Sequence, residues 1–263
     1  MGSASREALA RSVSALAGLG SKADLATAED LFAAGRVVAD SAQLRAVLSD
    51  PSAPADGKAV LVQRVFASLS APAVELLTVV AGERWSDQDD LLAAIEELGI
   101  RSIAASAPRN VDIPGELFAF GGAVTSDAQL ELALRSKLAA PEAKAALAER
   151  LLEGKASAQT VAIARQLVLQ PRGRSIRESL RAAARIVADQ YGQTIATVVT
   201  ARPLPAEQAE RLRASLAAKY GDLKLNEVVD SSILGGLRVQ IGDDVIDGSV
   251  ASRLTELRLQ LAG

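Results

Sequence analysis

Apolar residues recur at helical spacings through the first two thirds of the chain. Leu31, Val38, Leu44 and Leu48 lie on one face of a predicted helix. This helix is expected to end in the proline-containing stretch 49–54, because proline cannot continue a helix and restricts the residue before it. Further short apolar helices follow as far as residue 190. The pattern therefore predicts helical bundles for this part of the chain.

Two interruptions divide the predicted helices. An apolar helix from Leu91 to Leu98 is expected to end at Gly99. Residues 105–115 contain two prolines and a glycine and have the composition of a linker. A first bundle is therefore predicted to close before the linker, and a second to begin after it.

The second bundle repeats the first. At a shift of 86 residues (117 − 31), the chain matches itself without a gap, and Leu31-Phe32-Ala33 pairs with Leu117-Phe118-Ala119. Alanine-rich helices match partly by chance, but Gly, Gln, Lys and Arg also fall in register. We interpret residues 1–109 and 110–191 as tandem helical bundles that arose by duplication.

After residue 190 the apolar period changes from helical to two. Residues 194–199 and 237–241 alternate in this way, and residues 223–230 are a further strand candidate. Between them an apolar helix is expected to end at Gly221. The chain is therefore predicted to be mainly α, with tandem helical bundles followed by a small α/β domain over residues 192–263 that contains a short mixed sheet.

Composition and charge exclude several functions. The chain has no His and no Cys, which excludes a Ser-His-Asp triad, a His- or Cys-ligated metal and a disulfide. Its net charge of −3 argues against a dedicated nucleic-acid binder. It has neither a signal-peptide layout at its start nor the roughly 18 apolar residues of a membrane helix. We expect a cytoplasmic structural or interaction protein without a cofactor or direct membrane insertion.

Glycines and aspartates concentrate in residues 230–249. The set comprises Asp230, Gly235, Gly236, Gly242, Asp243, Asp247, Gly248 and Ser249. Aspartates could hold a hard cation and paired glycines could face a phosphate, but no phosphate-loop spacing is present. Gly242-Asp243 suits a two-residue hairpin turn, and Asp247 or Ser249 suits a helix cap. We interpret the segment as structural, with a Mg-dependent carboxylate enzyme using Asp243, Asp244 and Asp247 as an alternative.

Two helical faces are candidates for contact with a partner. One carries Arg174, Arg177, Arg181 and Arg185 along the helix predicted for residues 175–191. It is interpreted as a solvated face or a site for an acidic protein rather than nucleic acid, because no aromatic residues interleave. The other is an apolar stripe on the last helix, formed by Leu254, Leu257 and Leu261. This stripe suits a core contact as well as an interface.

The glycine and aspartate pattern also carries a family resemblance. Residues 229–237 and 241–250 resemble the C-terminal signature of the delta subunit of F-type ATP synthases, the bacterial counterpart of the oligomycin-sensitivity-conferring protein. Residues 197–204 resemble the family's preceding strand and the turn after it, and residues 141–169 and 172–177 resemble the end of its N-terminal helical bundle. Most bacterial members have one N-terminal bundle, so residues 1–109 are an extra copy, as in the long actinobacterial form.

The resemblance implies a peripheral-stalk subunit without catalytic residues. In that family the N-terminal bundle holds the amphipathic N-terminal helix of an alpha subunit, and the C-terminal unit takes the C-terminus of the b subunit. This link keeps the catalytic head still at the cytoplasmic face of the cell membrane while the rotor turns. Two bundles would offer two grooves, which gives the hypothesis that two alpha N-termini bind. A helical adaptor unrelated to the synthase is the remaining alternative.

Overall fold

The chain forms two compact units, Met1–Val187 and Ala188–Gly263, in a computed structural model that describes residues 1–136, 138–230, 232–250 and 254. The first unit is helical. The second contains a small mixed sheet. The predicted fold class, mainly α with a small α/β part at the C-terminus, is confirmed.

Eleven helices follow one another between residues 3 and 190, among the residues that the structure describes, and the last of them continues into the first residues of the second unit. They are α1 (Ser3–Leu19), α2 (Leu25–Asp40), α3 (Ala42–Ser49), α4 (Ala55–Val65), α5 (Ala71–Gly82), α6 (Gln88–Ser106), α7 (Ile113–Ser126), α8 (Ala128–Arg135), α9 (Pro141–Leu152), α10 (Ala158–Leu169) and α11 (Ile176–Gln190). A short 3-10 turn, Gly20–Lys22, lies between α1 and α2.

The single helix predicted from Leu31 to Leu48 is wrong, because the chain breaks at Ser41. The Ser41 hydroxyl accepts the Leu44 N–H at 3.2 Å and so begins α3 as its N-cap. Asp127 does the same for α8 by accepting the Leu130 N–H at 3.1 Å. The apolar period passes through this break, so only the cap chemistry could have revealed it.

Gly99 does not end a helix, contrary to the sequence prediction. It lies inside α6, which continues to Ser106. A Cβ at Gly99 would stand within 2.3 Å of the Phe32 ring. The glycine therefore allows α2 and α6 to pack closely, and its helix-weakening effect is offset by that contact.

Helices α7 to α10 follow the same order as α2 to α5. In both sets, a carboxylate on the first helix accepts a backbone N–H ahead of the fourth helix. Asp30 on α2 accepts the Ser70 N–H ahead of α5 at 2.8 Å, and Glu116 on α7 accepts the Ser157 N–H ahead of α10 at 2.9 Å. The carboxylates are 86 residues apart (116 − 30) and the serines 87 (157 − 70). The same interaction at equivalent positions supports a duplication. The division of the helical unit into bundles at residue 109 stays a prediction.

Apolar side chains from all parts of the helical unit form its core. The largest fully buried ones are Leu31, Leu76, Leu91, Ile95, Leu98, Ile100, Ile103, Ile113, Leu117, Ile163, Leu167 and Leu180. Trp85 is also buried, and its indole N–H donates to the Val80 carbonyl at 2.8 Å. Burial of this surface provides most of the stability that short helices cannot supply alone.

The second unit contains four strands in the order β2-β1-β3-β4 and helix α12 among its described residues. The elements are β1 (Thr194–Thr200), α12 (Ala206–Tyr220), β2 (Leu223–Val229), β3 (Leu237–Ile241) and β4 (Asp244–Asp247). β1 and β2 are parallel, whereas the β1–β3 and β3–β4 pairs are antiparallel. The predicted strands and the end of the helix at Gly221 are confirmed.

One face of this sheet packs against α12. Ala196, Val198, Val239 and Ile241 are buried on that face, and Leu216 of α12 packs with them. The alternation of residues that predicted β1 thus arises because α12 covers one face of the sheet. The C-terminal helix expected to cover the sheet as well lies almost entirely outside the described residues.

Candidate partner-binding site

The glycine and aspartate segment begins its hairpin as predicted. Ile241 pairs with Asp244, which leaves Gly242 and Asp243 as a two-residue turn between β3 and β4. Gly242 has a φ of 57°, a left-handed conformation that glycine adopts without steric cost. This pair therefore serves the turn.

The remaining glycines bring two parts of the segment together. Gly235 and Gly236 have φ values of 147° and 80°. The Gly248 N–H donates to the Leu237 carbonyl at 2.9 Å, and the Val250 N–H donates to the Gly235 carbonyl at 3.0 Å. A Cβ on Gly236 would stand 2.4 Å from the Gly248 oxygen. Two backbone stretches thus approach each other at a distance that only glycine permits.

The aspartates of this segment are engaged in local hydrogen bonds. Asp230 accepts the Ser232 N–H at 2.9 Å, and Asp247 accepts the Ser249 N–H at 2.9 Å. Hydrogen bonds from these serines hold the pKa of each carboxyl below its usual value, and Arg238 lowers the pKa of Asp247 further. The last helix lies almost entirely outside the described residues, so its capping by Asp247 or Ser249 stays a prediction.

The proposed cation ligands do not converge. Asp244 accepts a hydrogen bond from the Tyr220 hydroxyl at 2.9 Å, Asp247 is held by Arg238 at 2.9 Å, and Asp243 is exposed in the turn. Within the described part of the chain, no group of three or more Asp, Glu, His or Cys residues is arranged to hold a metal ion. The geometry of the segment is that of turns and backbone packing.

The apolar stripe of the last helix is described at one position. Leu254 is exposed over about half of its surface, at 49%. Leu257 and Leu261 lie outside the described residues. The assignment of this stripe to a partner therefore stays a prediction.

The arginine face of α11 is open over three of its four positions. Arg177, Arg181 and Arg185 are exposed, and none of them forms an ion pair with a described residue. The neighbouring Glu178 is held by Ser175, whose N–H donates to its carboxylate at 2.9 Å, and this capping box lowers the pKa of Glu178. The exposed face thus keeps three positive charges four residues apart.

Arg174 does not belong to that open face, since it points to Glu96 of α6. Its Nη2 donates to the two Glu96 carboxylate oxygens at 2.8 and 2.9 Å, and Arg172 Nη2 donates at 2.9 Å. Glu96 is 5% exposed. Sequence analysis missed this cluster, although a glutamate inside the apolar pattern of α6 is a signal that it needs a buried partner.

Next to this cluster, α2 and α10 are joined by polar contacts. Arg36 donates to the Gln166 side-chain oxygen, and the Gln170 side-chain amide donates to the Gly35 carbonyl at 3.2 Å. Gly35 also lies against α6, because a Cβ there would be 3.3 Å from the Ile95 side chain and 3.7 Å from the Gln170 side-chain oxygen. Helix α2 therefore packs along α6 and reaches the C-terminal end of α10 through these polar contacts.

The first and fifth helices of the chain also lie side by side. Arg11 of α1 donates from its Nε to both Glu83 carboxylate oxygens at 2.8 Å. The outer face beside this ion pair is exposed at Ala10, Ser14 and Glu75. This outer face of α1 and α5 is thus open to solvent.

No helix among the described residues is both long enough and apolar enough to cross a membrane. Two helical surfaces are exposed in the described part of the chain: the arginine face of α11 and the outer face of α1 and α5.

Comparison with known proteins gives the family of the chain. The family model for the ATP synthase delta (OSCP) subunit matches residues 102–261. The ATP synthase subunit delta of Leifsonia xyli subsp. xyli is 84% identical over 263 residues, and the alignment covers 100% of both chains. The ATP synthase subunit delta of Pseudarthrobacter chlorophenolicus is 39% identical over 276 residues, again with 100% of both chains covered. These relatives therefore also extend over the region that precedes the family match.

Among solved structures, the chain is similar to one in the cryo-EM structure of the Toxoplasma gondii mitochondrial ATP synthase hexamer. The identity is 22% and the TM-score 0.38, with 64% of this chain and 95% of that chain covered. This overlap is too loose to support a conclusion, whereas the full-length relatives and the family match are decisive. The chain belongs to the ATP synthase delta (OSCP) subunit family.

Proposed function

We propose that this chain is a stator connector of a proton-translocating F-type ATP synthase. It joins the catalytic alpha/beta head to the b stalk, so that the head does not turn with the rotor. The observation that carries this proposal is the full-length similarity to ATP synthase delta subunits at 84% identity. A connector of this kind needs stiffness and binding surfaces, and the apolar core that packs together residues 8–98 of the helical unit supports such stiffness.

In this role the chain performs no catalysis. The lack of His and Cys removes the commonest acid–base and nucleophilic groups. In the C-terminal signature, Asp244 accepts a hydrogen bond from the Tyr220 hydroxyl, and Asp247 accepts hydrogen bonds from Arg238 and from the Ser249 N–H. These contacts support a structural role for the signature.

The proposed partners are the N-terminal helix of an alpha subunit and the C-terminus of the b subunit. The helical unit takes the alpha helix by the helix-in-groove mode, in which an amphipathic helix lays its apolar face on a groove. The sheet unit takes the b subunit, with Leu254 and its stripe partners Leu257 and Leu261 as candidate contacts. Arg177 and Arg181 are further candidates, because an exposed row of arginines with no ion pair to a described residue favours an acidic protein surface.

The chain is proposed to work at the cytoplasmic face of the cell membrane as a peripheral part of the complex. The absence of a membrane-crossing helix among the described residues is consistent with attachment through other subunits. Both proposed contacts, to the head and to the b stalk, then hold the chain in place.

Affinity purification from gently solubilised native membranes tests this proposal. A tagged chain should recover alpha, beta and b subunits together, and an untagged strain provides the background. A second purification with Arg177→Glu and Arg181→Glu asks whether the arginine face contributes, in which case the yield of one partner falls. Recovery of the tagged chain without any synthase subunit would contradict the proposal.

A further inference from the structure

Two arginines lie close together where α2 meets α10. Arg36 of α2 and Arg165 of α10 line one small cavity together with Gln166. Arg36 is half-buried, and it donates to the neutral side chain of Gln166 but forms no ion pair with a described residue. Burial and then the charge of Arg165 lower the pKa of Arg36, and nearby Asp40 offsets this only in part. A partly buried cation thus lies beside a second cation.

Both guanidinium groups keep donors for a further acceptor. The Arg165 Nε lies 2.8 Å from a Glu149 carboxylate oxygen in a pair that is about half exposed, and Arg36 uses one Nη for Gln166. A guanidinium has five N–H donors, so several remain on each group. Glu29 also lines the cavity, but it is exposed and forms no ion pair with a described residue. The two arginines can therefore share one further carboxylate.

The packing of the helical repeats does not require these two charges. At the repeat shift of 86 residues, Arg36 corresponds to Gly122 (36 + 86). At the shift of 87 between the serines ahead of α5 and α10, Arg165 corresponds to Thr78 (165 − 87). Because both counterparts are uncharged, a repeat of this kind packs without either arginine. The pair of positive charges is therefore a local feature of the place where α2 meets α10.

A groove between α2, α9 and α10 continues from the arginine pair. Arg165 lines both the small cavity and this groove, which has a volume of about 780 Å³, in the range of sites that hold a ligand. Arg150 and Glu153 also line the groove with opposite charges. Its apolar and small lining residues include Leu25, Leu152, Val161 and Ala162. An apolar length of this kind beside two arginines favours a polypeptide segment over a bare anion.

We propose that Arg36 and Arg165 together bind an acidic side chain of a partner subunit, and that apolar residues next to that side chain lie in the groove. A carboxylate between the two guanidinium groups offsets their repulsion and accepts charge-assisted hydrogen bonds from both. The inference rests on the proposed function, because the synthase supplies the partner subunit. It gives a binding role to α2, which precedes the residues 102–261 matched by the family model.

Site-specific photo-cross-linking in native membranes tests this contact. The photoreactive residue p-benzoylphenylalanine replaces Ala158, an exposed residue that lines the groove. In the control strain it replaces Ala146, an exposed residue of α9 that does not line the groove. We expect position 158 to cross-link to a segment of a synthase subunit that contains Asp or Glu, and position 146 not to reach that segment.

The recovered subunits separate the two ways in which this experiment can fail. If alpha, beta and b subunits are recovered with the chain but position 158 gives no such cross-link, the inference is overturned and the proposed function stands. If no synthase subunit is recovered with the chain, the proposed function fails, and the inference fails with it.

Charge removal shows whether the arginines hold the partner. Arg165→Gln is expected to lower the cross-link yield from position 158 about tenfold, because hydrogen bonds to a charged group are lost. Arg64→Gln removes an exposed arginine from α4 and is expected to leave the yield unchanged. The melting temperature of the free Arg165→Gln chain should stay within about 2 °C, because the ion pair with Glu149 is half exposed. An unchanged yield, or a yield that falls only together with a large loss of melting temperature, would overturn the inference.

Discussion

Arg174 and Glu96 form a two-pronged ion pair in which one guanidinium nitrogen reaches both carboxylate oxygens, at 2.8 and 2.9 Å. The two residues are 78 positions apart in the chain. Glu96 lies on α6, and Arg174 lies in the turn that leads into α11. The pair therefore ties the turn before α11 to helix α6.

Loss of the Glu96 carboxylate should destabilise the helical unit. The Glu96→Ala variant leaves Arg172 and Arg174 without their buried counter-charge, and breaking a buried pair in this way costs about 3 kcal/mol or more in unfolding free energy. The side chains of the two arginines are partly exposed, at 17% and 29%, so we expect a loss close to about 3 kcal/mol rather than a larger one. Chemical denaturation followed by circular dichroism measures the change.

The control for this variant is Glu75→Ala, which removes an exposed glutamate from the middle of α5. A surface change of this kind stays within about 0.5 kcal/mol. Equal stability of the Glu96→Ala and Glu75→Ala variants would contradict the structural role of the ion pair.

Gly236→Ala should disrupt the sheet unit much more than Gly242→Ala. Both glycines have positive φ, which costs an alanine about 1 kcal/mol. At Gly236 the new Cβ would also meet the Gly248 carbonyl oxygen at 2.4 Å, whereas at Gly242 nothing lies within 4 Å. Hydrogen exchange of the β3 amides should speed up strongly in the first variant and modestly in the second. Similar exchange in both would show that the close backbone approach is unimportant.

Gly99→Ala and Gly18→Ala should change stability in opposite directions. An alanine at position 99 would drive its Cβ into the Phe32 ring, and overpacking of this kind costs about 1–3 kcal/mol. Position 18 is helical and has nothing within 4 Å, so alanine there is expected to stabilise α1 by about 0.5–1 kcal/mol. Thermal melts of the two variants test the sign. A stabilising Gly99→Ala would refute the packing role of Gly99.

The contribution of Asp247 should depend on pH. Its carboxyl has a lowered pKa in the folded chain because Ser249 and Arg238 favour the charged form. The stabilisation is therefore fully present above the ordinary carboxyl pKa of about 4 and is lost as the pH falls through the lowered pKa. We expect Asp247→Asn to lower the melting temperature at neutral pH and to make little difference in strong acid. A difference that grows towards low pH would contradict this account.

Local patterns predicted the sheet unit well because its determinants are local. Alternating residues gave β1, and Gly242-Asp243 gave the turn between β3 and β4. The resemblance of the C-terminal signature to the delta subunit family is confirmed by the match to residues 102–261.

Contacts between distant residues could not be predicted in the same way. The end of α6 was misplaced at Gly99 because a glycine that packs against Phe32 has the same local signature as a helix stop. The ion pair between Arg172 and Glu96 joins residues 76 positions apart, and the hydrogen bond between Arg36 and Gln166 joins residues 130 positions apart. Helical periodicity carries no information about contacts at such separations.

Energy coupling in inverted membrane vesicles tests the stator role most directly. In a strain that lacks this chain, we expect ATP hydrolysis by the catalytic head to persist while ATP-driven proton pumping is lost, because a head without its stator link turns freely. Reintroducing the chain should restore pumping. Proton pumping at the level of the parent strain in the absence of the chain would contradict the account.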